Sequence, residues 1–238
     1  ETDCFIVVEI YNCIVSISSK ELAKIYSDEF AQMINGKFHH NKLKINHEQV
    51  LINDSKVTPL FSPKDKIIVT NIIPLIDAAQ RYIYIPAFIL THDKLADALS
   101  AAKERGVDLK IIVDATNTNA KRSKVKYLRA KGVQVKVENY AGKVHSKSII
   151  IDDRYVIAGS MNFTNSGENK NDENVLIIEN QRMAHYYKEF FEYLWTKIPD
   201  KYLTQFPYAE GKSSVGSCSD GIDNDYDGKI DTADEGCK

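Results

Sequence analysis

The stretch HSKSIIIDDRYVIAGSMNFTNSGENKNDE, residues 145–173, decides how the chain is to be read. His145 and Lys147 are two apart in a run that continues Ser148-Ile149-Ile150-Ile151, so on a strand both project from one face. Asp152-Asp153-Arg154 reads as a turn and Tyr155-Val156-Ile157-Ala158-Gly159 as the returning strand. The return carries Ser160 and Asn162, again two apart, back towards His145 and Lys147. An imidazole, an ammonium, a hydroxyl and a carboxamide are thereby gathered at one end of an apolar hairpin. Such a set suits a tetrahedral oxyanion, because phosphoryl transfer is mostly positioning plus charge stabilisation.

Outward from the hairpin, the pattern alternates. Val57 to Phe61 reads as a short strand, Ile67 to Gln80 as helix, Tyr82 to Leu90 as strand and Asp93 to Arg105 as helix with Leu95, Ala98, Leu99 and Ala102 on one face. Val107 to Asp114 is a buried strand, Lys121 to Lys131 a helix ended by Gly132, and Val133 to Val137 a further strand. Asn174 to Ile178 and Gln181 to Lys197 follow the hairpin as strand and helix. The alternation predicts an α/β fold, an α-β-α sandwich whose central sheet is mixed because an antiparallel hairpin joins βαβ units.

The pattern H-x-K-x4-D followed by x6-G-S-x-N (His145, Lys147, Asp152, Gly159, Ser160 and Asn162) resembles the HKD signature of the phospholipase D superfamily. Glu173 matches that family's later acidic residue, and the resemblance covers roughly residues 57–199. It implies phosphodiester cleavage without a catalytic metal or other cofactor, through a phosphohistidine intermediate. His145 would attack phosphorus, Lys147 and Asn162 with Ser160 adjacent would hold the non-bridging oxygens, and Glu173 would orient the imidazole. Asp152, at the far end of its strand, and Gly159 are expected to be structural. The family also uses a second histidine to protonate the leaving alkoxide, and His39, His40, His47, His92 and His185 lie in no second complete H-x-K-x4-D motif. The resemblance therefore implies a partner half-site, from a homodimer or from a further half. The competing expectation is an inactive half-site that binds anions or surfaces without turnover.

Composition is that of an ordinary globular chain: 43% hydrophobic and 27% charged residues over 238 positions, with a net charge of −2. The longest apolar run, Tyr82 to Leu90, is far shorter than the ~20 residues of a spanning helix, so no transmembrane segment is expected. Charge is unevenly spread. Between Asn117 and Lys147 nine Lys/Arg face one acid, Glu138, which gives a basic stretch running into the catalytic strand. It suits a polyanion or an anionic lipid surface, so nucleic acid and phospholipid are both open as the phosphodiester substrate.

At the front, residues 5–17 read as strand and Ser18 with Glu21 as a capping box opening a helix through Met33. An offset of 161 aligns Leu22, Phe30 and Met33 with Met183, Phe191 and Leu194, an internal repeat. Residues 1–48 are accordingly expected to be the last strand and helix of a preceding half, and 56–199 the complete domain. Residues 200–217, with Pro207, Gly211, Ser213, Ser214 and Gly216, have linker composition. In 218–238, Asp223, Asp225, Asp227, Asp231 and Asp234 take positions 1, 3, 5, 9 and 12 of a twelve-residue loop, with Gly228 at position 6 and the Lys229 carbonyl at 7. That is the ligand order of an EF-hand-type calcium loop, and the segment resembles Asp-rich, cysteine-flanked repeats of bacterial and archaeal surface proteins. Cys218 and Cys237 bracket it, which suits a bridge in an oxidising compartment; Cys4 and Cys13 carry no assigned role. With no initiator Met or leader at Glu1, the chain reads as a mature protein or a fragment, extracellular or at a cell surface.

Overall fold

The computed structural model describes residues 2–7, 10–46, 48–118 and 121–238. In chain order its elements are β1 (Thr2–Val7), β2 (Ile10–Val15), α1 (Lys20–Ile34), β3 (Val50–Ile52), β4 (Ser55–Phe61), α2 (Ile73–Ala78), β5 (Tyr82–Ala87), α3 (Asp93–Glu104), β6 (Asp108–Val113), α4 (Val125–Ala130), β7 (Gln134–Val137), β8 (Lys143–Val144), β9 (Ser148–Ile151), β10 (Tyr155–Gly159), α5 (Asn165–Asn169), β11 (Asn174–Glu179) and α6 (Gln181–Lys197). One mixed sheet runs β3-β4-β11-β10-β9-β5-β6-β7. Its β5, β6 and β7 are parallel, and the remaining neighbours, including β5 with β9, are antiparallel.

Both faces of the sheet are covered, and this explains the unbroken apolar run in β9. Ile149 and Ile151 join the cluster beneath α2, α3 and α4 with Ile83, Ile85, Leu109 and Ile111. Ile150 points the other way, into the cluster with Tyr84, Val156, Tyr187 and Phe191 beneath α6. A strand buried on both faces loses its polar alternation. Tyr84 of β5 stacks on Phe191 of α6 with centroids 4.8 Å apart, tying the helix to that strand. The α-β-α sandwich with a mixed sheet expected from the sequence is the observed fold.

Several local expectations change. The apolar stretch 5–17 holds two strands, β1 and β2, and β2 runs parallel to β8 in a separate small sheet, with Tyr11 opposite Val144. The N-cap of α1 is Ser19, whose hydroxyl accepts from Leu22 N, one residue later than the Ser18 box. The polar connection before Val57 contains β3, a short edge strand paired with β4. Cys13, to which the sequence assigns no role, is disulfide-bonded, and its Cα partner in the β1–β2 ladder is residue 4.

Residues 200–217 are no free spacer. Tyr202 is buried, its carbonyl accepts from Arg129 and its hydroxyl donates to Ser213 O, while Phe206 and Ala209 pack against the core. Val215 pairs with Tyr140. The segment that follows is closed by Cys218–Cys237, Cα atoms 5.6 Å apart, and rests on the body of the domain.

Candidate active site

The residues leading into β9 alternate in burial: Val144, Ser146 and Ser148 are buried, whereas Lys143, His145 and Lys147 are half-open on the other side. Period two thus puts three basic side chains on one face. The backbone is fixed from both flanks. His145 N donates to Tyr11 O of β2 (3.2 Å) and to Lys143 O (3.0 Å), and Phe88 N donates to Ser146 O (2.9 Å) just past β5. Lys147 lies opposite Ala87.

The Phe88 ring sits 4.7 Å from the His145 ring and 5.2 Å from Lys147 Nζ, an apolar wall that sequence reasoning missed. Its signal was position: Phe88 follows a strand whose end abuts the catalytic one. Burial, then the Lys147 and Lys143 cations, pushes the His145 imidazole below its ordinary range and favours the neutral, nucleophilic form. Lys147 donates to the His145 carbonyl (2.6 Å), and burial brings its ammonium down to about 8 against the opposing pull of Glu173 and Asp114.

The returning strand delivers the hydroxyl and carboxamide. Ser148 pairs with Ala158, so Gly159 and Ser160 emerge at the end where Lys147 enters. Gly159 is required by contact: a Cβ there would lie 2.1 Å from Asn174 O. The close approach lets Ser160 N donate to Asn174 O (2.9 Å) and Ser160 Oγ donate to Glu173 Oε2 (2.6 Å). Asn171 Nδ2 donates to the other Glu173 oxygen (3.0 Å). Glu173 therefore meets Ser160 and Asn171, and among the described residues it makes no hydrogen bond to His145. The buried Asn162 Oδ1 has no hydrogen-bond partner among the described residues.

Asp152 is at the opposite end of the sheet. Asp152 and Asp153 both have positive φ (56° and 51°), as a tight hairpin turn demands, and the Asp152 carboxylate accepts from the backbone N–H groups of Gln80 (2.7 Å), Arg81 (2.8 Å) and Tyr82 (2.9 Å). Its work is to tie the turn to the start of β5.

In the C-terminal loop, Asp225, Asp227 and Asp234 bring carboxylate oxygens within 4.8 Å of one another, and so do Asp223, Asp225 and the buried Glu210. Glu210 lies outside the loop's own sequence and could not be found from its spacing. The Asp231 carboxylate is turned away, accepting from Asp220 N and Gly221 N, and Lys229 Nζ lies 3.3 Å from Asp227.

With this geometry in place, the similarities of the chain become informative. Residues 72–195 match the family described as "Cardiolipin synthase, PLD-like domain". A phospholipase D of Rickettsia bellii is 36% identical over 165 residues, spanning 68% of this chain and 82% of that protein. Human mitochondrial cardiolipin hydrolase is 31% identical over 162 residues, 68% of this chain and 63% of that one. Among solved structures, Nuc from Salmonella typhimurium, a phospholipase D family member, superposes with a TM-score of 0.57 at 30% identity, over 61% of this chain and 97% of Nuc.

Proposed function

The chain belongs to the phospholipase D-like family and is a phosphodiesterase, and on that premise we propose that its reaction proceeds through a phosphohistidine on His145. The observation that carries the reading is the convergence of His145, Lys147, Ser160 and Asn162 at one end of the β9–β10 hairpin, with burial and two cations pushing the imidazole below its ordinary range. The neutral imidazole nitrogen attacks phosphorus, and the P–O bond to the leaving group breaks. Lys147 and Asn162 carry the charge on the non-bridging oxygens, and Ser160, whose hydroxyl donates to Glu173, stands adjacent on the same strand end. The leaving alkoxide takes a proton from a second imidazole. That imidazole then takes a proton from water as the water attacks the phosphohistidine, restoring His145 and releasing the phosphomonoester.

The second imidazole belongs to a partner half-site, either a second copy of this chain or a further half. No catalytic metal is invoked. The substrate is a phosphodiester of nucleic acid or phospholipid: Nuc stands among the solved relatives, while phospholipase D and cardiolipin hydrolase stand among those related by sequence. Side-by-side turnover of single-stranded DNA and of phospholipid vesicles in EDTA tests both the class and the chemistry. Loss of all turnover in EDTA, or full activity in His145→Ala, overturns the mechanism.

The C-terminal loop is read as a weak calcium site using Asp223, Asp225, Asp227 and Asp234, the Lys229 carbonyl, and Glu210 from outside the loop; Asp231, as turned here, serves the backbone instead. Calorimetry of the full chain with calcium tests it. Disulfide-bonded cysteines support a place outside the reducing cytosol, at the cell surface or beyond.

A further inference from the structure

We propose that the C-terminal segment from Glu210 to Tyr226 is a positioning element of the active site, which holds Lys143 and residues 139–143 so that His145 is presented as a nucleophile. The proposal rests on the reading of His145 as the attacking residue.

The contact is built from backbone and side chain together. Ala141 N donates to Val215 O (2.9 Å) and Val215 N to Asn139 O (2.6 Å), which makes a two-bond clasp on the loop entering β8. Asn224, 2% exposed, donates from Nδ2 to Ala141 O (3.1 Å), and its carbonyl accepts from Lys143 Nζ (2.8 Å). The same ammonium donates to Thr116 Oγ1 (3.1 Å) and lies 4.4 Å from the centroid of the Tyr226 ring. Asn224 is itself held: Glu210, 1% exposed, accepts from Asn224 N (2.7 Å) through one oxygen and from Asp231 N (2.5 Å) through the other. The Cys218–Cys237 bridge closes the loop around this point. A connected path thus runs from Glu210 through Asn224 to Lys143, whose carbonyl accepts from His145 N at 3.0 Å.

A lysine side chain left in water samples many rotamers, and its charge is screened within about 8–10 Å. Three contacts pin this one on the His145 face of the strand, where its charge acts at a fixed distance. Facing the imidazole are Lys143 and Lys147 from its own segment and the Phe88 ring from the end of β5, while the Tyr11 carbonyl of β2 holds the His145 backbone N–H. Buried Asp114 and Glu138 face Lys143 from the ends of β6 and β7, and Glu173 is occupied by Ser160 and Asn171. Freeing Lys143 would remove one of the two cations that favour neutral His145, and releasing the clasp would loosen the residues that set its backbone.

The test uses the full chain with its disulfides formed. His145 is titrated by NMR, its resonance assigned by loss in His145→Ala and referenced to exposed His185. The kcat/KM profile against bis(p-nitrophenyl) phosphate is recorded in parallel. Lys143→Met is expected to raise the His145 midpoint by about half a pH unit, the effect of removing one nearby screened charge. Tyr226→Ala and Asn224→Ala should shift it in the same direction by less, and Lys143→Arg should restore it. Tyr226 is exposed, so its variant tests the proposal even where Lys143→Met fails to fold. An unchanged midpoint in Tyr226→Ala and Asn224→Ala overturns the proposal, because the segment would then be packing alone. The titration reads His145 directly. Absence of turnover in the wild type would count against the catalytic reading and leave this result standing.

Discussion

His145 must be neutral and Lys147 protonated at the same pH for the proposed chemistry to run. Burial moves both downward, the imidazole below its ordinary range and the ammonium to about 8. The sign then follows. Below the His145 midpoint the nucleophile is protonated and activity falls, and above about pH 8 Lys147 loses the charge that holds the phosphoryl oxygens. The kcat/KM profile should be a bell whose acid limb is set by protonation of His145 and whose alkaline limb, set by loss of the second imidazole's proton and then of the Lys147 charge, lies no higher than about 8; a plateau extending past pH 10 would contradict the role given to Lys147. His145→Ala should lower kcat by about 10⁴-fold or more, and Lys147→Ala by about 10²–10³-fold as for the loss of one oxyanion donor. Both side chains face the site rather than the core, so melting temperatures should stay close to wild type. Steady-state kinetics with circular dichroism on the same samples check the pair.

The hairpin as an element separates residues that react from residues that merely place them. Asp152 belongs to the second kind, accepting three backbone N–H groups at the end of the sheet remote from His145. Asp152→Ala should therefore cost about 1–3 kcal/mol of stability with little change in kcat at 25 °C, and denaturant unfolding beside the activity assay decides it. A large fall in kcat with unchanged stability would make Asp152 a participant. This element was legible in the sequence because local rules fix it: period-two alternation, a turn of aspartates that tolerate positive φ, and a glycine where β11 comes within 2.1 Å of a would-be Cβ. What could not be read depends on distant partners. Phe88 joins the site only because β5 lies beside β9, and Glu210 meets the aspartates of the C-terminal loop from outside it. Ser160 and Glu173 were read as separate functions, yet they share one hydrogen bond, which pairing of β10 with β11 creates. Linker composition misled for a related reason: glycine and serine mark freedom in the unfolded chain and say nothing of the clasp between Val215 and residues 139–141.

At the scale of the whole molecule the open requirement is the second imidazole. The chain has one complete H-x-K-x4-D motif, and the acid that resemblance assigns to orienting His145 is engaged instead by Ser160 and Asn171. The surface offers a place for another half-site. Helix α1 repeats the pattern of α6, but where α6 buries Phe191, α1 exposes Phe30 at 60% and, one turn on, Ile34 at 70%, and Phe38 at 44% and Leu43 at 69% are exposed in the chain that follows. Exposed apolar clusters of this kind mark association surfaces more often than isolated exposed side chains do. A closed two-fold pairing would place two copies of the H-x-K face in one assembly and supply the acid and the nucleophile from different copies. Activity of this chain should then depend on association: specific activity should fall on dilution through the dissociation constant, in step with the dimer fraction measured by sedimentation. Phe30→Asp should shift both curves to higher concentration without altering activity at saturation, since the side chain lies on the outer helix. Full specific activity in a species that sediments as a strict monomer would show that one half-site suffices, and the proton donor would then have to be found within this chain.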